Sequence, residues 1–530
     1  MIQAQIPSAT DAPGPLDAPR RRGLRVQLFA GGGGASQGER EATGESPDVA
    51  INHWPVAIAL HRANHPETTH HIADVFEVDP LVATGGLPVD FLWMSPTCTH
   101  FSAAKGRALR DEKLRAQAWV IRPWIEKTRP AVIVLENVKE FVTWGPLMDA
   151  HITGCPGCDD GEGCLRHCRF GCPDKDRAGE TYAEWRAWIV AQGYSFEARR
   201  LVAWEYGAPT TRERLYIVMR ADGRPATWPR PTHASEPTPE RPNRWRTAAE
   251  VVDWSVPCRS IFGRPRPLVA ASLRRLARGV GKFVLSPAAR PFVVRGQREV
   301  TAAAFLVKHY GERRSGEVMG QILDRPVGTV TAQDHHALVT ASLTKLHASA
   351  VDESSGVTAP GWEHALALAF LSRYNGCSVG QQMTAPIGTL ETRDRYSLIS
   401  TNLAPTDAPI DLERAREVYD LMVSSGYAGP GIDHARRLVL VTLGGIQLAV
   451  VDLAMRMLLP RELFRAQGFP DAYVIAPVGP RGRPLSGRNQ IRACGNSVCP
   501  PVARAIIRAV LQIEGRNMER TPRDTTTRVS

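Results

Sequence analysis

The strongest constraint on this chain is the rhythm of its first 220 residues, where short apolar runs alternate with helix-length amphipathic stretches. Strands spaced that way are joined by helical crossovers, which calls for a doubly wound α/β sheet with both faces covered. The runs at 25–29, 48–51, 91–94, 131–135, 196–202 and 215–219 read as strands, and 113–127 and 181–192 as helices. A core domain is expected over 24–220. Beyond it Pro, Arg and Thr become frequent and the rhythm is lost, which predicts a second, β-rich domain over 221–455. Helical periodicity returns over 456–514. Residues 1–23, rich in Pro, Ala and Asp, read as a disordered leader, and 515–530 as a similar tail.

The second domain carries an internal repeat over 305–339 and 370–399. Arg325-Pro326-Val327-Gly328-Thr329-Val330 in the first copy matches Ala385-Pro386-Ile387-Gly388-Thr389-Leu390 in the second. Two copies are too few for a solenoid, so two similar β-rich lobes are expected, packed together or touching a ligand. The net charge of +11 points toward a polyanionic partner. Arg259, Arg264, Arg266, Arg274, Arg275 and Arg278 fall in a stretch without an acidic side chain, a pattern that favours phosphate contact over a solvated face of mixed sign. No apolar run is long enough to span a membrane, and the start lacks the apolar core of a signal peptide. Ten cysteines in such a chain place it in a reducing, cytoplasmic setting, where clustered thiols bind metal more often than they cross-link.

Chemistry gathers at the strand ends. The first strand runs into Ala30-Gly31-Gly32-Gly33-Gly34, a turn that lets backbone approach a nucleotide-like ligand. Asp74 stands where a third strand would present a carboxylate to an adenine amino group. The strand ending at Met94 leads into Ser95-Pro96-Thr97-Cys98-Thr99-His100-Phe101-Ser102, and a thiol delivered into a polar loop suits a nucleophile. The apolar run 131–135 ends in Glu136-Asn137-Val138. A carboxylate there tends toward a raised pKa, which suits proton donation to a ring nitrogen. Arg212 and Arg214, at i and i+2 on an extended segment, point into one site with Glu213 facing away.

In this order the motifs resemble those of the DNA cytosine-5 methyltransferase family. Leu28-Phe29-Ala30-Gly31-Gly32-Gly33-Gly34 resembles its S-adenosylmethionine loop, the segment around Cys98 its nucleophile loop, Glu136-Asn137-Val138 its ENV motif and Arg212-Glu213-Arg214 its RxR motif. The stretch from Arg461 to Pro470 and Gly495-Asn496-Ser497-Val498 match two C-terminal motifs. The resemblance implies a Rossmann-like S-adenosylmethionine-dependent domain, interrupted by a target-recognition domain and completed by the returning C-terminal segment; it is nearest to phage and proteobacterial members. Phe29, Ala30, Gly31, Gly33, Asn52, Asp74, Pro96, Asn496 and Ser497 would then hold the cofactor. The chain departs from the family in having Thr97 and Thr99 beside the cysteine where Pro and Gln are usual. Asn52 replaces a ribose-binding acid, Gln27 stands where Asp is common, and Thr210 stands where Gln is common.

The resemblance implies a DNA (cytosine-5-)-methyltransferase acting on double-stranded DNA as a monomer, with a cognate restriction enzyme among the partners it allows. Cys98 would add to C6 of the flipped-out base, Glu136 would bond N3 and the exocyclic amine, Arg214 would hold O2, and Arg212 would support the loop or a phosphate. RNA as substrate, another transferred group, or an inactive DNA-binding protein are the alternatives. Separately, Cys155, Cys158, Cys164, His167, Cys168 and Cys172 form a thiol-rich insert over 154–173, where four of the six would suit a tetrahedral structural zinc. An unmetallated, redox-sensitive loop is the other reading. Cys494 and Cys499 read as packing residues.

Overall fold

The computed structural model describes residues 22–96, 116–146, 174, 176–287, 292–296, 300–301, 305–307, 319–321, 330–331, 335–339, 356–359, 366–373, 378–387, 390–391, 395–405, 410–443 and 446–512. Its first sheet holds β1 (Leu24–Leu28), β2 (Val49–Ile51), β3 (Thr69–His71), β4 (Val89–Met94), β5 (Val132–Asn137), β6 (Ser195–Val202) and β7 (Glu213–Arg220). Their order is β3-β2-β1-β4-β5-β7-β6. The first five run parallel, while β7 is antiparallel to both β5 and β6. Buried runs such as Phe91-Leu92-Trp93-Met94 and Ile133-Val134-Leu135 are what a sheet covered on both faces requires.

The helices are α1 (Gly34–Thr43), α2 (Pro55–Asn64), α3 (Pro80–Thr84), α4 (Ile121–Thr128), α5 (Glu180–Ala191), α6 (Ala270–Val280), α7 (Leu412–Ser424), α8 (Pro460–Ala466), α9 (Gly487–Gly495) and α10 (Pro500–Val510). Trp124 of α4 and Trp185 of α5 pack on Ile133, Leu135 and Ile217 on one face of the sheet. Ala35 and Ala42 of α1 and Val502 and Ile506 of α10 pack on Phe91, Val134 and Tyr216 on the other. The helix expected over 113–127 begins differently: Ala116–Val120 is a 3-10 turn, and the α-helix starts only at Ile121. Pro123, which has no N–H and clashes with the preceding turn, is tolerated only near a helix start and so sets that boundary.

Strands from Arg259–Ser260 to Ile446–Met457 build a second, 13-stranded sheet. Its repeat does not form the two lobes expected from the sequence. Instead the two copies pair with each other in parallel. Gly320 lies opposite Gly380, Gln321 opposite Gln381, Val330 opposite Leu390, His335 opposite Arg395 and Leu338 opposite Leu398. Every partner sits sixty residues further along the chain, so equivalent positions are neighbours. A one-residue slip would turn every side chain to the opposite face; two copies with the same apolar alternation therefore match only in this register. The C-terminal segment joins both units: Leu463, Phe464 and Tyr473 belong to the same core as Leu398 and Val418, whereas α10 lies on the first sheet.

Candidate active site

The register of the first sheet lines up the strand ends. Leu28 lies between Ile51 and Met94, Ile51 next to His71, and Met94 next to Leu135. Phe29 to Gly33, Asn52, Asp74, Ser95-Pro96 and Glu136 therefore leave the sheet along one edge. The loops after β1 and β4 emerge side by side where the winding reverses, the place where open α/β sheets bind ligands. Ser95 Oγ accepts a hydrogen bond from Trp93 Nε1 at 2.9 Å, and the buried Pro96 carbonyl accepts from Asn137 Nδ2 at 3.4 Å. Cys98 itself lies outside the described residues, two positions beyond Pro96.

Glu136 and the two arginines meet. Arg214 Nε is 3.2 Å and Arg212 Nη2 3.7 Å from Glu136 Oε1. All three residues are buried, at 5–6% exposure, so the opposite charges compensate each other where water cannot. Register explains the meeting. Glu136 faces Tyr216 across the β5–β7 ladder, which leaves Arg214 two residues away on the same face. Arg212 Nη1 also donates to the Gly495 carbonyl at 3.1 Å, tying the arginine segment to the C-terminal motif. Glu213 turns to the other face, 3.1 Å from Lys139 Nζ and 3.7 Å from Arg200 Nη1.

The glycine turn has two jobs. Phe29, with φ 57°, and Gly31, with φ 54°, adopt left-handed backbone directly after β1. For a non-glycine residue this costs about 1–2 kcal/mol, strain of the kind that gathers at ligand sites. A Cβ on Gly31 would make only ordinary contacts, 3.5 Å from Phe29 O and 3.7 Å from Asn496 O. The next three glycines admit the C-terminal segment. A Cβ on Gly32, Gly33 or Gly34 would lie 2.5 Å from Ala493 O, 2.2 Å from Tyr473 Oη or 2.0 Å from Val498 O. Tyr473 Oη donates to Gly32 O at 2.9 Å, and Ser497 Oγ accepts from Gly34 N at 3.0 Å. Ser497 thus engages the loop itself, while the exposed Asn496 borders Gly31 through its carbonyl.

Asn52, buried after β2, uses Oδ1 to accept from Trp54 N at 2.8 Å. That leaves its amide nitrogen as the group to offer a ligand. Asp74 caps its own turn in the same way, accepting from Phe76 N at 3.1 Å. These residues fit a nucleoside-bearing cofactor: strained backbone with an open glycine face, a buried amide one strand over and a carboxylate beyond it.

Sequence reading missed what lies beneath this loop. His70 Nε2 lies 2.8 Å from His61 Nδ1, and His61 Nε2 lies 2.7 Å from Ser36 Oγ. Ser36 Oγ donates to Gln27 Oε1 at 2.8 Å, and Gln27 Nε2 donates to Glu39 Oε2 at 2.7 Å. Because the hydroxyl gives its one proton to Gln27, His61 must donate through Nε2 and accept at Nδ1 from His70, which runs the chain one way. Burial lifts Glu39 to about 7 against the pull of Arg25, lowers His65 and His70 to about 4, and pushes His61 well below its usual value. Gln27, noted only as a departure, is the link at the middle. Gln467 was likewise unforeseen: it donates to Cys494 O at 3.2 Å and accepts from Cys499 Sγ at 2.9 Å. Both cysteines are buried, and burial raises the Cys499 thiol to about 12.

The arginine-rich stretch divides. Arg264 is engaged by the backbone, donating to Ser260 O, Arg259 O and Met455 O at 2.7–2.9 Å, so it reads as structural rather than phosphate-facing. Arg278 lines a cleft of about 420 Å³ in the second domain with Lys282 and Tyr427. Cys155, Cys158, Cys164, His167, Cys168 and Cys172 lie outside the described residues. Among the described residues no group of three or more His, Cys, Asp and Glu could hold a metal, and no helix is long and apolar enough to cross a membrane.

Residues 25–145 and 415–512 match the family model for C-5 cytosine-specific DNA methylase. The chain is 28% identical over 218 residues to the type II methyltransferase M.AgeI of Thalassovita gelatinovora, covering 40% of this chain and 42% of that protein. It is 26% identical over 215 residues to the type II methyltransferase M.AquIA of a Picosynechococcus strain, covering 39% and 76%. The match thus spans less than half of the first relative's length. Among solved structures, Spodoptera frugiperda DNMT2 aligns with a TM-score of 0.43 at 14% identity, over 92% of this chain and 99% of that one.

Proposed function

This chain belongs to the C-5 cytosine-specific DNA methylase family over residues 25–145 and 415–512, and from that premise we propose that it methylates C5 of cytosine in duplex DNA. The observation that carries the proposal is the buried meeting of Glu136 with Arg212 and Arg214 on the sheet edge from which the Cys98 loop departs. A carboxylate and two guanidiniums fixed by neighbouring strands match the edge of a cytosine: Glu136 toward N3 and the exocyclic amine, Arg214 toward O2. Arg212, bonded to Gly495 O, holds the loop.

C5 of cytosine is a weak nucleophile. Addition of the Cys98 thiolate to C6 forms a C–S bond and moves the C5–C6 π electrons onto C5, while Glu136 holds N3 as its charge changes. After C5 has been alkylated, loss of its proton and expulsion of the thiolate restore the aromatic ring. The cofactor implied by the family, S-adenosylmethionine, would supply the electrophilic methyl group. Phe29, Ala30, Gly31, Gly33, Asn52, Asp74, Pro96, Asn496 and Ser497 would hold it. The base must leave the duplex stack to reach this edge, at a cost of about a few kcal/mol that DNA contacts offset. We assign those contacts to the second domain, on a monomer.

The test is a mechanism trap. Duplex DNA containing 5-fluorocytosine, incubated with the protein and S-adenosylmethionine, should give a denaturation-resistant adduct that disappears in Cys98→Ser. Absence of an adduct on any DNA tested would point to a binding protein instead. The thiol-rich insert is read as a structural zinc site: metal analysis should find about one zinc per chain, removable by a chelator. A chain that holds none ends that reading.

A further inference from the structure

The segment leading into the arginine pair is held by the second domain. Ile387 N donates to Pro209 O at 2.6 Å and Thr211 N donates to Ile387 O at 3.1 Å, a two-bond parallel bridge around Thr210. Thr210 and Ile387 are both fully buried. Ile387 belongs to the second copy of the repeat, in Ala385-Pro386-Ile387-Gly388-Thr389. That turn is anchored from two further directions. Gln381 Nε2 donates to Pro386 O at 2.6 Å, and Ala249 N donates to Met383 O at 2.7 Å. Gln381 is itself the residue paired in register with Gln321 of the first copy.

We propose that the second repeat copy is a positioning element for Arg212 and Arg214, with Ile387 and Gln381 as its positioning residues. The inference rests on the proposed methyl transfer and deepens it by naming what sets the arginine geometry. Arg214 is fixed on its own strand by pairing with Leu201, and Arg212 by Gly495 O. The residues just before them, Pro209 to Thr211, gain their backbone partner from Ile387. The arginine pair therefore inherits its placement from the sheet that the two repeat copies build together. Shifting that turn by a fraction of an ångström moves the guanidiniums against Glu136 without touching the glycine turn or Asn52.

The test uses the full-length protein with Gln381→Leu, Ile387→Pro and Ile387→Val. Gln381 has one amide donor in use while its Oε1 is buried without a hydrogen-bond partner, so leucine removes an unsatisfied oxygen as it takes the donor from the Pro386 carbonyl; the two changes offset each other in part and should leave the fold intact. Ile387→Pro deletes the N–H given to Pro209; Ile387→Val keeps it. Single-turnover methyl transfer to duplex DNA should fall about ten- to a hundredfold in Gln381→Leu and Ile387→Pro, as a small misplacement of catalytic groups does. Ile387→Val should restore it to within about twofold of wild type. Cofactor Kd and DNA Kd should stay within about threefold in Gln381→Leu, so that the loss is in kcat and not in KM. Unchanged turnover in Gln381→Leu, or turnover and both affinities falling together, overturns the positioning role. Wild-type protein that transfers no methyl group to any DNA overturns the proposed function instead.

Discussion

Arg214 Nε sits 3.2 Å from Glu136 Oε1 across the β5–β7 ladder, with both side chains buried. Neither group could be buried alone at modest cost, because an isolated ion in the interior loses its hydration with nothing in return. The pair, with Arg212 at 3.7 Å, makes the strand end a preorganised polar site in an otherwise apolar layer.

Glu136→Gln is expected to lower methyl transfer by at least about a hundredfold while leaving cofactor affinity within about threefold. Glutamine fills the same space but takes the Glu136 charge away from two buried guanidiniums, so the variant should also lose about 3–5 kcal/mol of stability. Single-turnover assays, calorimetric titration and denaturant unfolding would separate the three effects. A loss of cofactor binding matching the loss of turnover would remove Glu136 from its assigned role.

The glycines make a sharper contrast. Gly34→Ala places a Cβ 2.0 Å from a backbone carbonyl at Val498, which can yield only if the C-terminal segment moves. It should cost about 1–3 kcal/mol and weaken the hold of Ser497 on the loop. Gly31→Ala meets no such wall and bears only the strain of positive φ, about 1–2 kcal/mol. Limited proteolysis of the C-terminal segment should therefore quicken in Gly34→Ala and not in Gly31→Ala.

How much of this was legible depended on whether a feature is local. The βα rhythm announces a doubly wound sheet because crossover connections have few solutions, and Glu136, Arg212 and Arg214 announce themselves because each ends or begins an apolar run. What remained hidden needs long-range placement. The one-way chain from His70 to Glu39 joins four elements through side chains that singly look like ordinary core or surface residues. The repeat was visible, but not its self-pairing, since two similar segments are as compatible with separate lobes as with a shared sheet. The packing role of Gly32 to Gly34 was hidden because a glycine-rich turn suits a ligand and a packed polypeptide equally well.

Acid should destabilise the first domain, with the sign set by the histidines. His65 and His70 are lowered by burial to about 4 in the folded protein against an ordinary value near 6.5, and burial holds His61 well below that value too. The unfolded chain takes protons the fold refuses, so stability is complete above about 6.5 and is lost as pH falls toward 4. Glu39, raised to about 7, acts oppositely: its protonated form suits the buried site, so its contribution is lost as pH rises from 4.5 toward 7. Three histidines against one carboxyl leave a net loss on acidification. The melting temperature should drop between pH 7 and 5, and His70→Gln should flatten that drop; an unaltered slope would mean that His70 does not titrate with unfolding.

Asn52 offers the last and most direct test of cofactor binding. Its Oδ1 is already committed to Trp54 N, so it presents an amide N–H where a ribose, whose hydroxyls donate, is better served by an acceptor. Asn52→Asp keeps the turn through one oxygen and gives the other a charge with which to accept. A charge-assisted bond in place of a neutral one should tighten S-adenosylmethionine binding by about tenfold, equivalent to about 1.4 kcal/mol. Asn52→Ala, which loses the turn as well, should weaken binding. Equilibrium titration of the three proteins decides the matter: if the aspartate variant binds no tighter than wild type, the amide is not facing a hydroxyl pair, and the ribose must be held from another strand end.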